Sequence, residues 1–280
     1  MTRYSALALV FLAAGSAHAA EKTLDRTFTV SPGGALVVEA DGASVRVSGT
    51  DSSQVTVHMK FRGSDEDLSV TKLDAVQNGN DVSVTMRRQE KHRWLNWGSW
   101  HSEGNIEVTV PRNYRVGVRT GGGEISLADT TAPAKLNTSG GDVSAKNVTA
   151  NIELRTSGGG IHADNIKGDV DADTSGGDVR LLYVDGKIRG NTSGGSVRVS
   201  LVGANRGISA STSGGDIELS LPRATTGNVK ATTSGGDISS DLPLTTNSQK
   251  EGRLEGSMNG GGLPIDAHTS GGSIRLRATN

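Results

Sequence analysis

Apolar and polar positions alternate strictly over short runs along most of the chain, and the runs recur. Val116-x-Val118-x-Thr120, Ala134-x-Leu136-x-Thr138, Ile152-x-Leu154-x-Thr156, Val170-x-Ala172-x-Thr174 and Ile188-x-Gly190-x-Thr192 form one series. It continues with Ile208-x-Ala210-x-Thr212, Val229-x-Ala231-x-Thr233 and Ile265-x-Ala267-x-Thr269. A period of two, rich in β-branched residues, predicts a strand with one buried face. A pair of glycines follows each Thr, and then a second alternating run, as in Val143-x-Ala145, Ile161-x-Ala163, Val179-x-Leu181, Val197-x-Val199 and Ile217-x-Leu219. The predicted unit is therefore a strand, a Gly-Gly corner and another strand. A looser turn such as Gly168-Asp169 or Asp185-Gly186 closes it.

The corner phrase, Thr-Ser-Gly-Gly-Asp-Val or a close variant, begins at Thr120, Thr138, Thr156, Thr174, Thr192, Thr212, Thr233 and Thr269. The first five copies are 18 residues apart and the next two steps are 20 and 21. A short fixed period marks a solenoid, in which no unit buries its apolar side alone and each leans on its neighbours. The fold class expected is all-β: a parallel β-solenoid with coils of about 18–21 residues, of either hand. Nine parallel coils stacked at about 4.8 Å make roughly 43 Å of ladder. The paired glycines fit a corner that needs positive φ and lies too close to the next corner for a Cβ. They are not a phosphate loop, because a strand and not a helix N-terminus follows them.

Upstream, Leu36-x-Val38-x-Ala40-Asp41-Gly42-Ala43-Ser44-Val45 has the repeat pattern with an eroded glycine pair and predicts the first coil. Val55-Val57-Met59-Phe61, Val82-Val84-Met86 and Ile106-Val108-Val110 are further strands, with long excursions at 62–80 and 87–105. The first excursion, acidic around Asp65-Glu66-Asp67, reads as a surface loop. The chain thus divides into a leader at 1–19, an irregular N-terminal β region at 20–110 and regular solenoid repeats at 111–280.

Composition narrows the function. The 280 residues include 39 glycines and no cysteine, and the formal net charge is -1. No whole-molecule field gathers nucleic acid, so none is expected as a partner. Arg3, the apolar run Ala6–Ala14 and Ala17-His18-Ala19 compose a secretory signal peptide cleaved after Ala19. The run is shorter than the ~20 residues of a membrane anchor. The expectation is a periplasmic or secreted chain without disulfides or a transmembrane segment, held by packing and backbone pairing.

The candidate chemistry lies in three places. Asp169, Asp171 and Asp173 face Lys187 and Arg189 on the next coil and Arg155 on the previous one, which reads as cross-strand charge pairing rather than a calcium loop. The column after the glycines runs Glu124, Asp142, Gly160, Asp178, Ser196, Asp216, Asp237, Ser273 in chain order. Its acids alternate with neutral residues except at Glu124 with Asp142 and Asp216 with Asp237, the weak candidates for a bridging cation; no metal or cofactor is expected. Third, all three tryptophans, Trp94, Trp97 and Trp100, fall in one excursion beside Arg93, His92 and His101. Such a platform stacks on sugars, grips an amphipathic partner or sits at a bilayer interface. A lid over the solenoid is the alternative use of the same residues. There is no His-Glu-x-x-His, no cysteine zinc cluster and no nucleophile elbow.

The exported N-terminus, Val110-Pro111-Arg112 leading into the first glycine turn, and the serial Thr-Ser-Gly-Gly-Asp-Val/Ile turns resemble the bacterial "putative adhesin" family of β-strand-repeat domains of unknown function. The resemblance spans about residues 30–280. It implies a parallel β-solenoid on the cell-envelope side, and brings no ligand or catalytic residue. Met258-Asn259-Gly260-Gly261-Gly262 and the Trp-rich excursion depart from it. The functional expectation is a non-enzymatic envelope protein, an adhesin-like binding or scaffold module whose partner is a glycan, an envelope protein or a membrane surface. The alternative is a polysaccharide-active β-helix enzyme using Asp169, Asp171, Asp173, Lys187 and Arg189. A third reading is ice binding through the Ser/Thr columns.

Overall fold

The computed structural model describes residues 20–89 and 103–279. Two long sheets, of twelve and thirteen strands, face each other across a thin core. Strands that precede the glycine corner stack in the thirteen-stranded sheet, and strands that follow it stack in the other. Through the middle of the molecule the stacking is parallel, in register and in chain order. Ala134 pairs with Val116 and Ile152, Ile152 with Val170, and Val170 with Ile188. The coil expected to open the stack forms, with Leu36 on Val116 and Val45 on Ile125, but it is not the end layer: Leu36 also pairs with Val82 and Val45 with Ile106.

Period-two alternation sends Val170, Ala172 and Thr174 inward from one strand of a coil and Val179 and Leu181 from the other, and all five are buried; Val184, out of step with the alternation, is buried as well. The repeat's threonine explains itself here. Its methyl packs inward, while its hydroxyl donates to the carbonyl of the second corner glycine one layer away. Thr138 reaches Gly123 at 2.9 Å, Thr156 Gly141 at 2.8 Å, Thr174 Gly159 at 2.7 Å and Thr192 Gly177 at 2.8 Å. A Cβ on the second glycine would overlap the backbone of the neighbouring corner, as at Gly159 against the Gly141 carbonyl. The first glycine is looser, with 3.3 Å from a Cβ on Gly158 to the Gly140 oxygen. Positive φ was expected at these corners and is not found there. Close approach alone excludes the side chain. The left-handed positions instead form a column of Asp129, Asn147, Asn165 and Tyr183, each 18 residues from the last, with φ of 60°, 53°, 56° and 54°.

The N-terminal end is closed by antiparallel strands. Gln54–Gly63 lies on Glu103–Pro111, and Ala20–Thr29 lies on Gln54–Gly63. On the other sheet Thr71–Asn78 caps Asp81–Arg88. The excursion expected as a surface loop at 62–80 is ordered differently. Ser64 and Asp67 make a reciprocal capping box that starts the helix Asp65–Val70, and the strand Thr71–Asn78 follows directly.

At the C-terminal end chain order breaks. Ile265 pairs with Ile208 on one side and Val229 on the other, and Ile274 lies between Ile217 and Ile238. The last coil, 264–279, is thus seated between the 208–222 coil and the 227–240 coil. The antiparallel hairpin of Thr245–Lys250 and Arg253–Met258 then covers Gly227–Thr232.

Candidate functional site

The outer face of the thirteen-stranded sheet carries a shallow groove of about 690 Å³ that runs across successive layers from Val37 to Arg189. Its position follows from the strand pattern: the residues between the inward ones project outward in columns. Val37, Gly117, Lys135, Glu153, Asp171 and Arg189 occupy one such column in consecutive layers. One end of the groove is apolar, with Ala35, Val37 at 45% exposure, Gly117 and Pro133. The other end is charged.

The charges there are paired across layers. Glu153 accepts from Lys135 at 2.9 Å and Arg155 at 2.6 Å; Asp171 lies 3.4 Å from Arg155 and 3.8 Å from Arg189; Asp173 is 4.0 Å from Arg155. The hydrogen bonds from Lys135 and then Arg155 hold the Glu153 carboxyl below its usual range, and the hydrogen bond to Glu153 raises the Arg155 guanidinium. Asp169 behaves differently from expectation. Its carboxylate accepts the backbone N–H of Lys187 at 2.9 Å, while its own N–H donates to the Asn151 side chain at 2.9 Å. These are ladder bonds between layers, in keeping with the structural reading of the Asp-x-Asp-x-Asp run.

The acid column behind the glycines is reordered by the fold. Ser273 lies between Asp216 and Asp237, so the expected adjacent pair is not one. The carboxylate of one layer accepts the N–H of the next: Asp142 from Gly160 at 2.7 Å, Asp178 from Ser196 at 2.9 Å and Asp216 from Ser273 at 2.8 Å. Glu124 and Asp142 do occupy neighbouring layers. Among the described residues no three of His, Asp and Glu converge as metal ligands.

Trp94, Trp97, Trp100, Arg93, His92 and His101 lie outside the described residues. In the chain they lie between the strand that ends at Arg88 and the strand that begins at Glu103. Residues 1–19, expected as a signal peptide, also lie outside. The buried, bonded Thr column presents no hydroxyl face to a lattice, which removes half of the ice-binding array.

Sequence reasoning missed the left-handed column. Asn147 donates to the Asp129 carboxylate at 3.0 Å and Asn165 to the Asn147 amide oxygen at 2.9 Å, and the column ends at Tyr183, 57% exposed. Its signal was the same 18-residue spacing, two residues beyond the second strand's alternating run.

Fold and site together define a two-sheet parallel β-solenoid with a charge-paired lateral groove. The chain belongs to the Toastrack DUF4097 family, whose model matches residues 34–277. Among solved structures, a "putative adhesin" from Bacteroides fragilis aligns over 91% of this chain and 97% of its own at 11% identity and a TM-score of 0.55. A "putative lipid binding protein" from Parabacteroides distasonis aligns over 91% and 96% at 10% identity and a TM-score of 0.46. At 11% identity the likeness to the Bacteroides fragilis structure is one of fold alone. No curated protein matches the chain. Among the described residues, no helix is long and apolar enough to cross a membrane.

Proposed function

We propose that the chain is a non-enzymatic, exported cell-envelope module that binds a surface ligand in an adhesin-like manner on its rigid lateral face. The observation that carries this reading is the groove, where an uncovered apolar end at Ala35, Val37, Gly117 and Pro133 adjoins polar groups already fixed by cross-layer pairing. A concave, largely apolar surface with a few oriented polar groups is what a binding site requires. The same pairing argues against hydrolysis. A general acid needs a carboxyl raised toward neutrality, whereas Glu153 in this groove is held low. Asp171 is already engaged in ion pairs with Arg155 and Arg189. That weighs against the polysaccharide-active alternative built on Asp169, Asp171, Asp173, Lys187 and Arg189. Trp94, Trp97 and Trp100 are proposed as a second contact, and the ligand class is a glycan, an envelope protein or a membrane surface.

The test is binding of the mature protein to cell-wall glycans and to anionic lipid vesicles, read by tryptophan emission and acrylamide quenching. Val37→Lys should weaken binding at the groove by about tenfold, the effect of ~1.4 kcal/mol. Replacing all three tryptophans by Ala, with binding then read by sedimentation, should abolish the Trp-dependent part and leave the circular dichroism unchanged. Loss of the fold with the tryptophans would make them a structural lid, and glycan cleavage lost with Asp171→Asn would replace this reading by the enzymatic one.

A further inference from the structure

The 227–240 coil stands two layers from the 208–222 coil, about 9.6 Å at the usual strand spacing, and the chain reaches it before the residues that fill the gap. Until residues 264–279 arrive, Ile208–Thr212 and Ile217–Pro222 on one side and Gly227–Thr232 and Ile238–Ser240 on the other present unpaired backbone groups to each other. Facing open edges are a template for strand addition.

We propose that this slot is an acceptor site for residues 264–279 of a second copy of the chain, so that two molecules dimerise by reciprocal exchange of their C-terminal coils. The slot is matched to this segment group by group. Thr269 donates to the Gly215 carbonyl at 2.8 Å and Ser273 N–H to the Asp216 carboxylate at 2.8 Å. On the far side Thr233 donates to the Gly272 carbonyl at 2.7 Å and Asp237 N–H to the Ser273 hydroxyl at 3.2 Å. Ser273 also keeps the carboxylates of Asp216 and Asp237 a layer further apart than chain order would place them. The occupant is specified by that complementarity, and a second copy carries the same complement.

The connection permits exchange. The five residues 259–263 carry the chain past the start of Gly227–Thr232, from its antiparallel neighbour Arg253–Met258 to its parallel neighbour Pro264–Thr269. Asn259, Gly260, Gly261 and Gly262 all have positive φ. The crossing is tied by amides: Asn259 to the Arg223 and Thr225 carbonyls, Asn228 to Gly262, and Asn205 to Leu263. A short connector holds the chain's own coil at an effective concentration on the order of millimolar, so the monomer prevails unless folding occurs in concentrated protein or the connector is too short to cross.

The experiment uses full chains. Ser209 and Asp266 are aligned on neighbouring strands and exposed, and the protein has no cysteine. Chains carrying Ser209→Cys and chains carrying Asp266→Cys are mixed, unfolded, refolded together at rising concentration, separated by size and oxidised. The expected result is a dimer fraction that grows with concentration and contains a disulfide joining the two variants. Asn137→Cys, five strands from Asp266 in the same sheet, should give no such bond when mixed with Asp266→Cys. Deleting Gly260, Gly261 and Gly262 should raise the dimer fraction further. Refolding to monomer at every concentration, a dimer with no more mixed disulfide than the Asn137→Cys control, or a folded monomer from the glycine deletion would each overturn the proposal.

Discussion

The coils from 115 to 201 and those from 208 to 279 use the same phrase and stack differently. In the first group each coil after 115–128 rests on the one before it in the chain, joined by turns of a few residues, while 115–128 itself rests on the 35–50 coil. In the second the last coil is wedged between two earlier ones, and three asparagines secure the crossings. The hydrogen bonds within the stack are nevertheless alike: Thr269 reaches Gly215 as Thr174 reaches Gly159. A repeat specifies what its two edges accept, and any coil with matching edges satisfies them. Order is left to the few residues that differ between copies and to the connectors.

The largest effect that separates the shared rules from the local ones lies in the corners. Gly159→Ala should cost about 3 kcal/mol or more, because its Cβ overlaps the fixed Gly141 carbonyl. Gly158→Ala, one residue away, meets the Gly140 oxygen at a tight but less severe 3.3 Å and should cost about 1 kcal/mol, both read by urea denaturation. Next, Thr174→Val in the ordered region and Thr269→Val in the wedged coil should each lose about 1–3 kcal/mol, since each strands a carbonyl in the stack. Unequal losses in thermal midpoint would mean that the two regions are not built by one rule. The smallest effect bears on order itself. Ser273→Asp places a carboxylate between Asp216 and Asp237, at roughly 1 kcal/mol of repulsion for each neighbour in water. The loss should shrink with added salt and match that of Ser196→Asp, which sits between Asp178 and Asp216. A loss about half that of Ser196→Asp would argue for stacking in chain order, where residue 273 has Asp237 alone as an acidic neighbour.

Much of the fold was legible because coil contacts recur at a short, fixed interval. Inward Val, Ile, Ala and Thr, the eroded coil at Leu36, and the pairing of Asp171 with Arg189 and Asp173 with Arg155 all follow from alternation plus an 18-residue register. The role of the Gly pair was half legible. Crowding could be inferred from repetition, but φ at the corner depends on how the two strands meet. Asp65–Val70 was hidden because one turn of helix has no hydrophobic period, although Ser64 and Asp67 carried its cap signal. The groove was legible only at its charged end. Its apolar end depends on Gly117 and Pro133 lying beside Ala35 and Val37, which are some eighty to a hundred residues earlier in the chain yet in the adjacent or next layer.

The amino-acid sequence by itself determined the repeating unit, its inward and outward faces, its corner and its parallel register, because all of these rest on residues within one coil or one period of each other. Only the tertiary structure decided which coils are neighbours at the C-terminal end, and with it that Asp216 and Asp237 are kept apart by Ser273. The physical reason is that the edges of Ile208–Thr212, Gly227–Thr232 and Pro264–Thr269 are nearly interchangeable in backbone and pattern. Their order therefore turns on a single column of charges and on where the connecting loops can reach.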